Sequence, residues 1–213
     1  MDFWTRLEDV RSRHDVLKHR FYQRWSQGEL TRDELAVYAR EYHHAVVALA
    51  EASERAARDA EPAIASELAE HAAEERSHIP LWAEFAAAVG GTPSQRPAPE
   101  TAACAATWAG DSDRDLLHTL VGLYAIESGQ PAIATTKHEG LKAFYGIEDG
   151  PASAYFTLHA ELDHEHAATE RKLIEERLEG ADEGALLATA ESVLRANWEL
   201  LDGVERLNGR SSE

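Results

Sequence analysis

The residues best equipped for chemistry are histidines and carboxylates set at helical spacing on apolar stripes. In His159-Ala-Glu-Leu-Asp163-His-Glu-His166, a helix advancing about 100° per residue puts positions 159, 163 and 166 in one sector of about 60°. Tyr155, Leu162 and Leu173 fall in or beside that sector, while Glu161, His164 and Glu165 point away. His71-Ala-Ala-Glu-Glu75-Arg-Ser-His78 repeats the pattern, with Ile64, Leu68 and Trp82 as apolar companions and Glu70 and Glu74 toward the edge. Glu127, in Leu123-Tyr124-Ala125-Ile126-Glu127, is a further acid on an apolar stripe. A carboxylate buried without a partner costs several kcal/mol, so something must compensate these. A metal centre inside a helix bundle does so: imidazole and carboxylate suit iron, manganese or zinc, and a carboxylate can bridge two cations.

A single core histidine is more often an ordinary hydrogen-bonded residue, and an acid on an apolar stripe is more often paired with arginine. Two matched triplets plus a separate glutamate favour metal over either. The Glu-x-x-His spacing of ferritin-like proteins also occurs, at Glu41/His44, Glu75/His78 and Glu161/His164. Phase argues against the last pair, which faces away from its helix's apolar stripe.

Helices must position these groups, for apolar residues recur at three- and four-residue spacing and no alternating β-branched run interrupts them. The spacing predicts helices over 3–26, 31–58, 62–89, 112–128, 131–144, 151–178 and 182–207. Thr31 and Glu34 form a capping box, and Gly28, Gly90-Gly91 and Gly129-Gln130-Pro131 mark breaks. A short segment holding Cys104 and Trp108 follows the longest loop, and residues 209–213 read as a frayed tail. The expected fold class is all-α, a single seven-helix bundle forming one domain over 1–213.

Composition removes several classes. The 213-residue chain carries 39 acidic and 21 basic residues, a formal charge of −18, and no basic cluster for nucleic acid. Apolar runs fall short of the roughly 18–20 residues that span a bilayer, and the N-terminus lacks a signal-peptide pattern. With one cysteine there is no internal disulfide and no paired-cysteine zinc site, so a cytoplasmic protein is expected.

With these residues in place, the chain resembles the haem-oxygenase-like di-metal oxidases, which share the seven-helix bundle of haem oxygenase, TenA thiaminases and the quinone-cofactor enzyme PqqC. The resemblance rests on Glu127 and, about thirty residues on, His159-x-x-x-Asp163-x-x-His166. It rests also on His78 in Arg76-Ser77-His78-Ile79-Pro80-Leu81-Trp82. Weaker likenesses lie in His19-Arg20-Phe21-Tyr22-Gln23-Arg24-Trp25 and Tyr38-Ala39-Arg40-Glu41-Tyr42-His43-His44. It implies metal ligation by His78, Glu127, His159, Asp163 and His166, with His71 next and Glu75 last.

One departure bears on the metals. The family carries a glutamate where this chain has His71, so either His71 is a ligand or Glu75 or Glu70 supplies the carboxylate, Glu75 being better phased. The implied cofactor is iron cycling between Fe(II) and Fe(III), either as two metals per chain, with iron/manganese as an alternative, or as one firm iron with a weak or absent second. His43, His44 and Glu41 are candidate partners for ligand nitrogens.

The resemblance implies an oxidase or oxygenase that uses dioxygen and an external reductant on a small amine, amino-acid or aromatic substrate, in a homodimer. The alternative is a self-sacrificing 4-aminobenzoate synthase, in whose branch a first-helix tyrosine supplies the aromatic ring and a lysine the amino group. Tyr22 and Lys137 occupy those positions. A TenA-type hydrolase would need a nucleophilic cysteine, for which Cys104 is poorly placed. A metal-dependent interaction protein without catalysis is the remaining class.

Overall fold

The computed structural model describes residues 1–92 and 96–210, and within that range the side chains of Leu162 and Arg210 lie outside the described residues. So do positions 93–95 of the predicted long loop and 211–213 of the predicted tail. The described residues form nine α-helices and one 3-10 turn, with no strand. They are α1 (Phe3–Arg13), a 3-10 turn (Val16–Lys18), α2 (Arg20–Ser26), α3 (Arg32–Asp59), α4 (Ala65–Val89), α5 (Pro99–Ala109), α6 (Leu116–Glu127), α7 (Gln130–Phe144), α8 (Ala154–Glu175) and α9 (Glu183–Arg210).

The expected count of seven is therefore corrected to nine, and both extra helices have local causes. The predicted helix over 3–26 is interrupted because Asp15 caps the 3-10 turn, accepting from the Leu17 N–H at 3.1 Å. His19 then caps α2, its Nδ1 accepting from the Phe21 N–H at 3.0 Å while Nε2 lies 3.1 Å from Asp202. Side chains that satisfy the free N–H groups of a helix start make a fresh start cheaper than continuation. The segment holding Cys104 and Trp108 is α5, started by Pro99 in its first turn and closed at Gly110.

The remaining starts and stops follow the sequence. Thr31 and Glu34 form the capping box of α3, and Gly90, in the left-handed region at φ 85°, ends α4. Helix α4 runs through Pro80, two residues after His78. Helix α3 lies along α4 and α5, α8 takes α4, α6 and α7 on its sides, and α9 closes the bundle over α1, α5 and α6. The core is aromatic at its centre, where Tyr22, Trp25, Tyr38, Tyr42, Trp82, Phe85 and Phe156 are buried together.

One contact fixes α2 against α7. The Trp25 indole N–H donates to the Lys137 carbonyl at 3.1 Å, and a Cβ added at Gly140 would sit 2.5 Å from that indole nitrogen. Gly140 is there because any side chain would push α2 off α7. Gly140→Ala is expected to cost about 1–3 kcal/mol and lower the melting temperature, as overpacking does. A variant that melts with the parent protein in calorimetry would contradict this.

Candidate metal centre

Helices α4, α6 and α8 bring all seven proposed ligands to one buried place. His71, Glu75 and His78 come from α4, Glu127 from the last residue of α6, and His159, Asp163 and His166 from α8. Six are buried and His166 is partly buried. Each triplet lies on the inward stripe of its helix, as its 0, 4, 7 spacing requires. Glu161, His164 and Glu165 are exposed on the opposite face of α8.

The donors fall into overlapping groups whose ligand atoms lie within 4.8 Å of one another: Glu75/His78/His159, His71/Glu127/His166, and Glu75/Asp163/His166. His78 Nδ1 is 3.1 Å from Glu75 Oε1, and the His78 and His159 ring centres are 4.5 Å apart. His71 Nε2 is 3.3 Å and His166 Nδ1 3.6 Å from Glu127 Oε2. His166 Nδ1 also lies 3.9 Å from Glu75 Oε1 and from Asp163 Oδ1. Glu75 thus stands between the two histidine pairs, where its carboxylate reaches both. The family resemblance ranks it last; its Glu-x-x-His relation to His78 is the sequence signal for a central place. His71 and Glu75 are both at the site, and Glu70 is exposed outside it.

Hydrogen bonding leaves the site-facing atoms free. Glu75 Oε1, both oxygens of Glu127 and of Asp163, His71 Nε2, His78 Nδ1, His159 Nε2 and His166 Nδ1 are buried without a hydrogen-bond partner. So many convergent orphans are what a protein avoids unless something else fills them. Two rings are oriented from behind: the far nitrogen of His159, Nδ1, is 2.7 Å from the Tyr155 carbonyl, and that of His166, Nε2, is 2.9 Å from Glu74. A donor N–H there leaves the opposite nitrogen as a lone pair facing inward, the tautomer a metal needs. The expected partners Glu41, His43 and His44 are placed otherwise. Glu41 accepts from the Ala98 N–H at 2.8 Å and from Arg40, and the rings of His43 and His44 meet edge to face at 6.0 Å.

One buried acid at the site lies outside the predicted set. Glu170, on α8, is fully buried with both oxygens unpartnered. Its sequence signal is the extension of the stripe by four residues beyond His166, obscured by the small and polar run Ala167-Ala168-Thr169 before it and the charged pair Arg171-Lys172 after it. Burial, then the charges of Glu127, Glu75 and Asp163, hold its carboxyl well above the usual range. Burial and the same neighbours Glu127 and Glu75 push Asp163 to about 10. Burial opposes the charged form of His71, but Glu127, Glu75 and Glu74 outweigh it and raise the ring to about 9. His159 is pushed down to about 4 by burial. The metal-free site therefore stores protons on acids and on His71 that a cation must displace.

Lys137 and Tyr22 meet in the aromatic centre rather than among the acids. Lys137 Nζ lies 5.2 Å from the Tyr22 ring centre and 4.7 Å from that of Tyr42, with Tyr38, Trp82 and Phe156 also around it. Burial lowers the Lys137 ammonium to about 7. The Tyr22 and Tyr38 hydroxyls are 2.8 Å apart, and burial raises both phenols well above their usual range. Cys104 is fully buried and burial raises its thiol, which removes the thiolate a TenA-type reaction would need.

The fold is haem-oxygenase-like. A TenA homologue from Pseudomonas syringae pv. tomato superposes with a TM-score of 0.82 at 16% identity, covering 96% of this chain and 91% of that one. A domain of haem-oxygenase-like fold from Shewanella denitrificans gives 0.75 at 18% identity, covering 100% and 96%. The family of iron-containing redox enzymes matches residues 34–198, and the chain belongs to it. Among its relatives is a 4-aminobenzoate synthase of Chlamydia trachomatis, 32% identical over 95% of this chain and 91% of that protein. A 4-aminobenzoate synthase of Nitrosomonas europaea is 31% identical over 92% and 87%. No helix among the described residues is long and apolar enough to cross a membrane.

Loading iron(II) under argon at pH 7 should expel protons from His71 and Asp163, whose metal-free values of about 9 and 10 keep both protonated there. Affinity should therefore rise with pH up to about 9–10, as His71 and Asp163 lose their protons. Titration calorimetry in buffers of different ionisation enthalpy reads the count, and zero proton release at pH 7 would contradict the site. Glu170→Gln, which keeps the shape of a neutral carboxyl, should retain iron, while Asp163→Ala should lose most of it without loss of helicity.

Proposed function

We propose that this protein is a non-haem iron oxidase that makes 4-aminobenzoate from its own Tyr22, with Lys137 as the source of nitrogen. The observation that carries this reading is the pairing of Lys137 with Tyr22 in one buried aromatic cage, 5.2 Å from Nζ to ring centre. The protein's own side chains fill that cage, with the Tyr42 ring centre at 4.7 Å from the amine and the Tyr22 ring next, at 5.2 Å. The names of the chain's relatives support the same product.

His71, Glu75, His78, Glu127, His159, Asp163 and His166 would hold the iron. Iron there would supply oxidising power drawn from dioxygen and an external reductant. The protein's part is to carry that oxidation to Tyr22. His159 stacks on Tyr155 at 4.0 Å, Tyr155 meets Trp82 at 4.9 Å, Trp82 meets Tyr38 at 5.7 Å, and Tyr38 meets Tyr22 at 6.2 Å. Tyrosine and tryptophan can each give up an electron, so this series of rings is a route from the ligand shell to the ring that is consumed. The Tyr22 and Tyr38 hydroxyls, 2.8 Å apart, share one hydrogen bond at the end of this route.

Lys137 can react only through a free amine lone pair. Its value of about 7 leaves a large neutral fraction at physiological pH, where an exposed lysine has almost none. The cage supplies this through desolvation, since aromatic faces tolerate the ammonium without offering a counter-ion.

Protein labelled in its tyrosine rings and lysine nitrogens, given iron(II), reductant and dioxygen, should release 4-aminobenzoate carrying both labels at no more than one turnover. Tyr22→Phe and Lys137→Ala should each abolish it and keep the iron. Labelled product from the Tyr22→Phe protein, or many turnovers on an added amine, would overturn the self-sacrifice. In iron-loaded protein the yield should climb between about pH 6 and 8 as Lys137 loses its proton, because the group's value is lowered and its neutral form is the reactive one.

A further inference from the structure

The series of rings that leads from the ligand shell to Tyr22 has a second branch. Tyr38 meets Trp25 at 5.7 Å as well as Tyr22 at 6.2 Å, and Trp25 meets Tyr145 edge to face at 5.7 Å. These are ordinary contact distances between aromatic rings. The branch therefore runs His159, Tyr155, Trp82, Tyr38, Trp25, Tyr145. Every ring after the ligand belongs to a tyrosine or a tryptophan, the two residues whose rings are most easily oxidised.

The two branches end differently. Among the described residues, every other tyrosine and tryptophan joined to the series by ring contacts is buried, and Tyr145 is partly exposed. A phenol that gives up an electron must also give up its proton, so exposure matters at the end of the line. Tyr22 lies in a dry cage beside Lys137, where reaction with the amine would trap the oxidised ring. The Tyr145 hydroxyl sits at the edge of the bundle, donating to the Trp25 carbonyl at 3.1 Å and accepting from the Leu30 N–H at 3.4 Å. The carboxylates of Glu34 and Glu29 lie within electrostatic reach of it. A proton leaving this phenol meets carboxylates and solvent.

We propose that Tyr145 is a second oxidation site, where oxidising equivalents not captured at Tyr22 leave the core by way of Trp25 and are quenched by a small one-electron donor of the ascorbate class. The proposal rests on the reading that iron and dioxygen oxidise the protein's own rings. In each passage one electron moves from Tyr145 through Trp25 and Tyr38 towards the iron site, and the phenolic proton goes to water. The donor then returns one electron, a proton from water follows, and the phenol is restored. Such a site empties the core of oxidising equivalents once Tyr22 has been spent, before Trp25 or Trp82 is damaged.

The route can be tested without iron. In metal-free protein a flash of ultraviolet light ionises tryptophans in place, and a nitroso spin trap followed by peptide mapping locates the radicals that result. Adducts are expected on Tyr145 and on Tyr124, which pairs with Trp4 at 5.2 Å outside the series. Trp25→Phe should remove most of the Tyr145 adduct and leave that of Tyr124. Tyr145→Phe, a milder change, should prolong the absorption of the tryptophan radical. No adduct on Tyr145, one that Trp25→Phe leaves in place, or an unchanged radical lifetime in Tyr145→Phe overturns the proposal.

Iron-loaded Tyr22→Phe protein given dioxygen and catalase should be trapped at Tyr145, ascorbate should suppress the adduct, and Met1 should stay unoxidised. Met1 is 86% exposed and records any oxidant that diffuses through solution, so its oxidation in step with Tyr145 would also overturn the proposal. Doubly labelled 4-aminobenzoate from the parent protein, with Tyr145 unmarked in Tyr22→Phe, would remove the surface site alone. A marked Tyr145 in a protein that releases no product would keep the surface site and remove the synthase reading.

Discussion

Everything in this molecule turns on four carboxylates, Glu75, Glu127, Asp163 and Glu170, buried inside a helical core. Their charged neighbours are histidines, not arginines, since Glu75, Glu127 and Asp163 pair with His71, His78 and His166. The metal-free core keeps protons on Asp163 and on His71. Cations would replace those protons, and the rest of the fold can be read as what holds the acids still while they wait. Long helices α4 and α8 carry a triplet each, and α6 ends on Glu127, so these donors sit on helices rather than loops.

On the proposed reading, the second constraint is the separation of oxidation from consumption. The acids and the Tyr22–Lys137 pair occupy different parts of one core, joined by Tyr155, Trp82 and Tyr38. Burial among aromatic faces lowers the Lys137 ammonium, and the Trp25 and Gly140 contact packs α2 onto the helix that carries it. The packing that stabilises the bundle is thus the same packing that tunes the amine.

Much of this is legible in the sequence, for identifiable reasons. The 0, 4, 7 spacing of His71/Glu75/His78 and His159/Asp163/His166 is a statement about one helix face, and one face is all that periodicity can specify. It cannot rank Glu75, whose central place depends on how α4 and α8 cross, nor reveal that Glu170 turns inward beside exposed charges. The helix count fails where side chains make local decisions: Asp15 and His19 restart the chain within a stretch whose apolar spacing never breaks. Tyr22 and Lys137 are 115 positions apart in sequence, and only the family resemblance joins them before the fold does.

The central claim is that the orphaned donors are metal ligands in two neighbouring positions. Crystals grown with iron(II) under argon and measured on both sides of the iron absorption edge test it most directly. Two anomalous peaks are expected, one beside Glu75, His78 and His159 and one beside His71, Glu127 and His166, with Asp163 and Glu75 in reach of both groups. Strong iron signal elsewhere on the chain, with these nitrogens and oxygens still facing one another bare, would contradict the account.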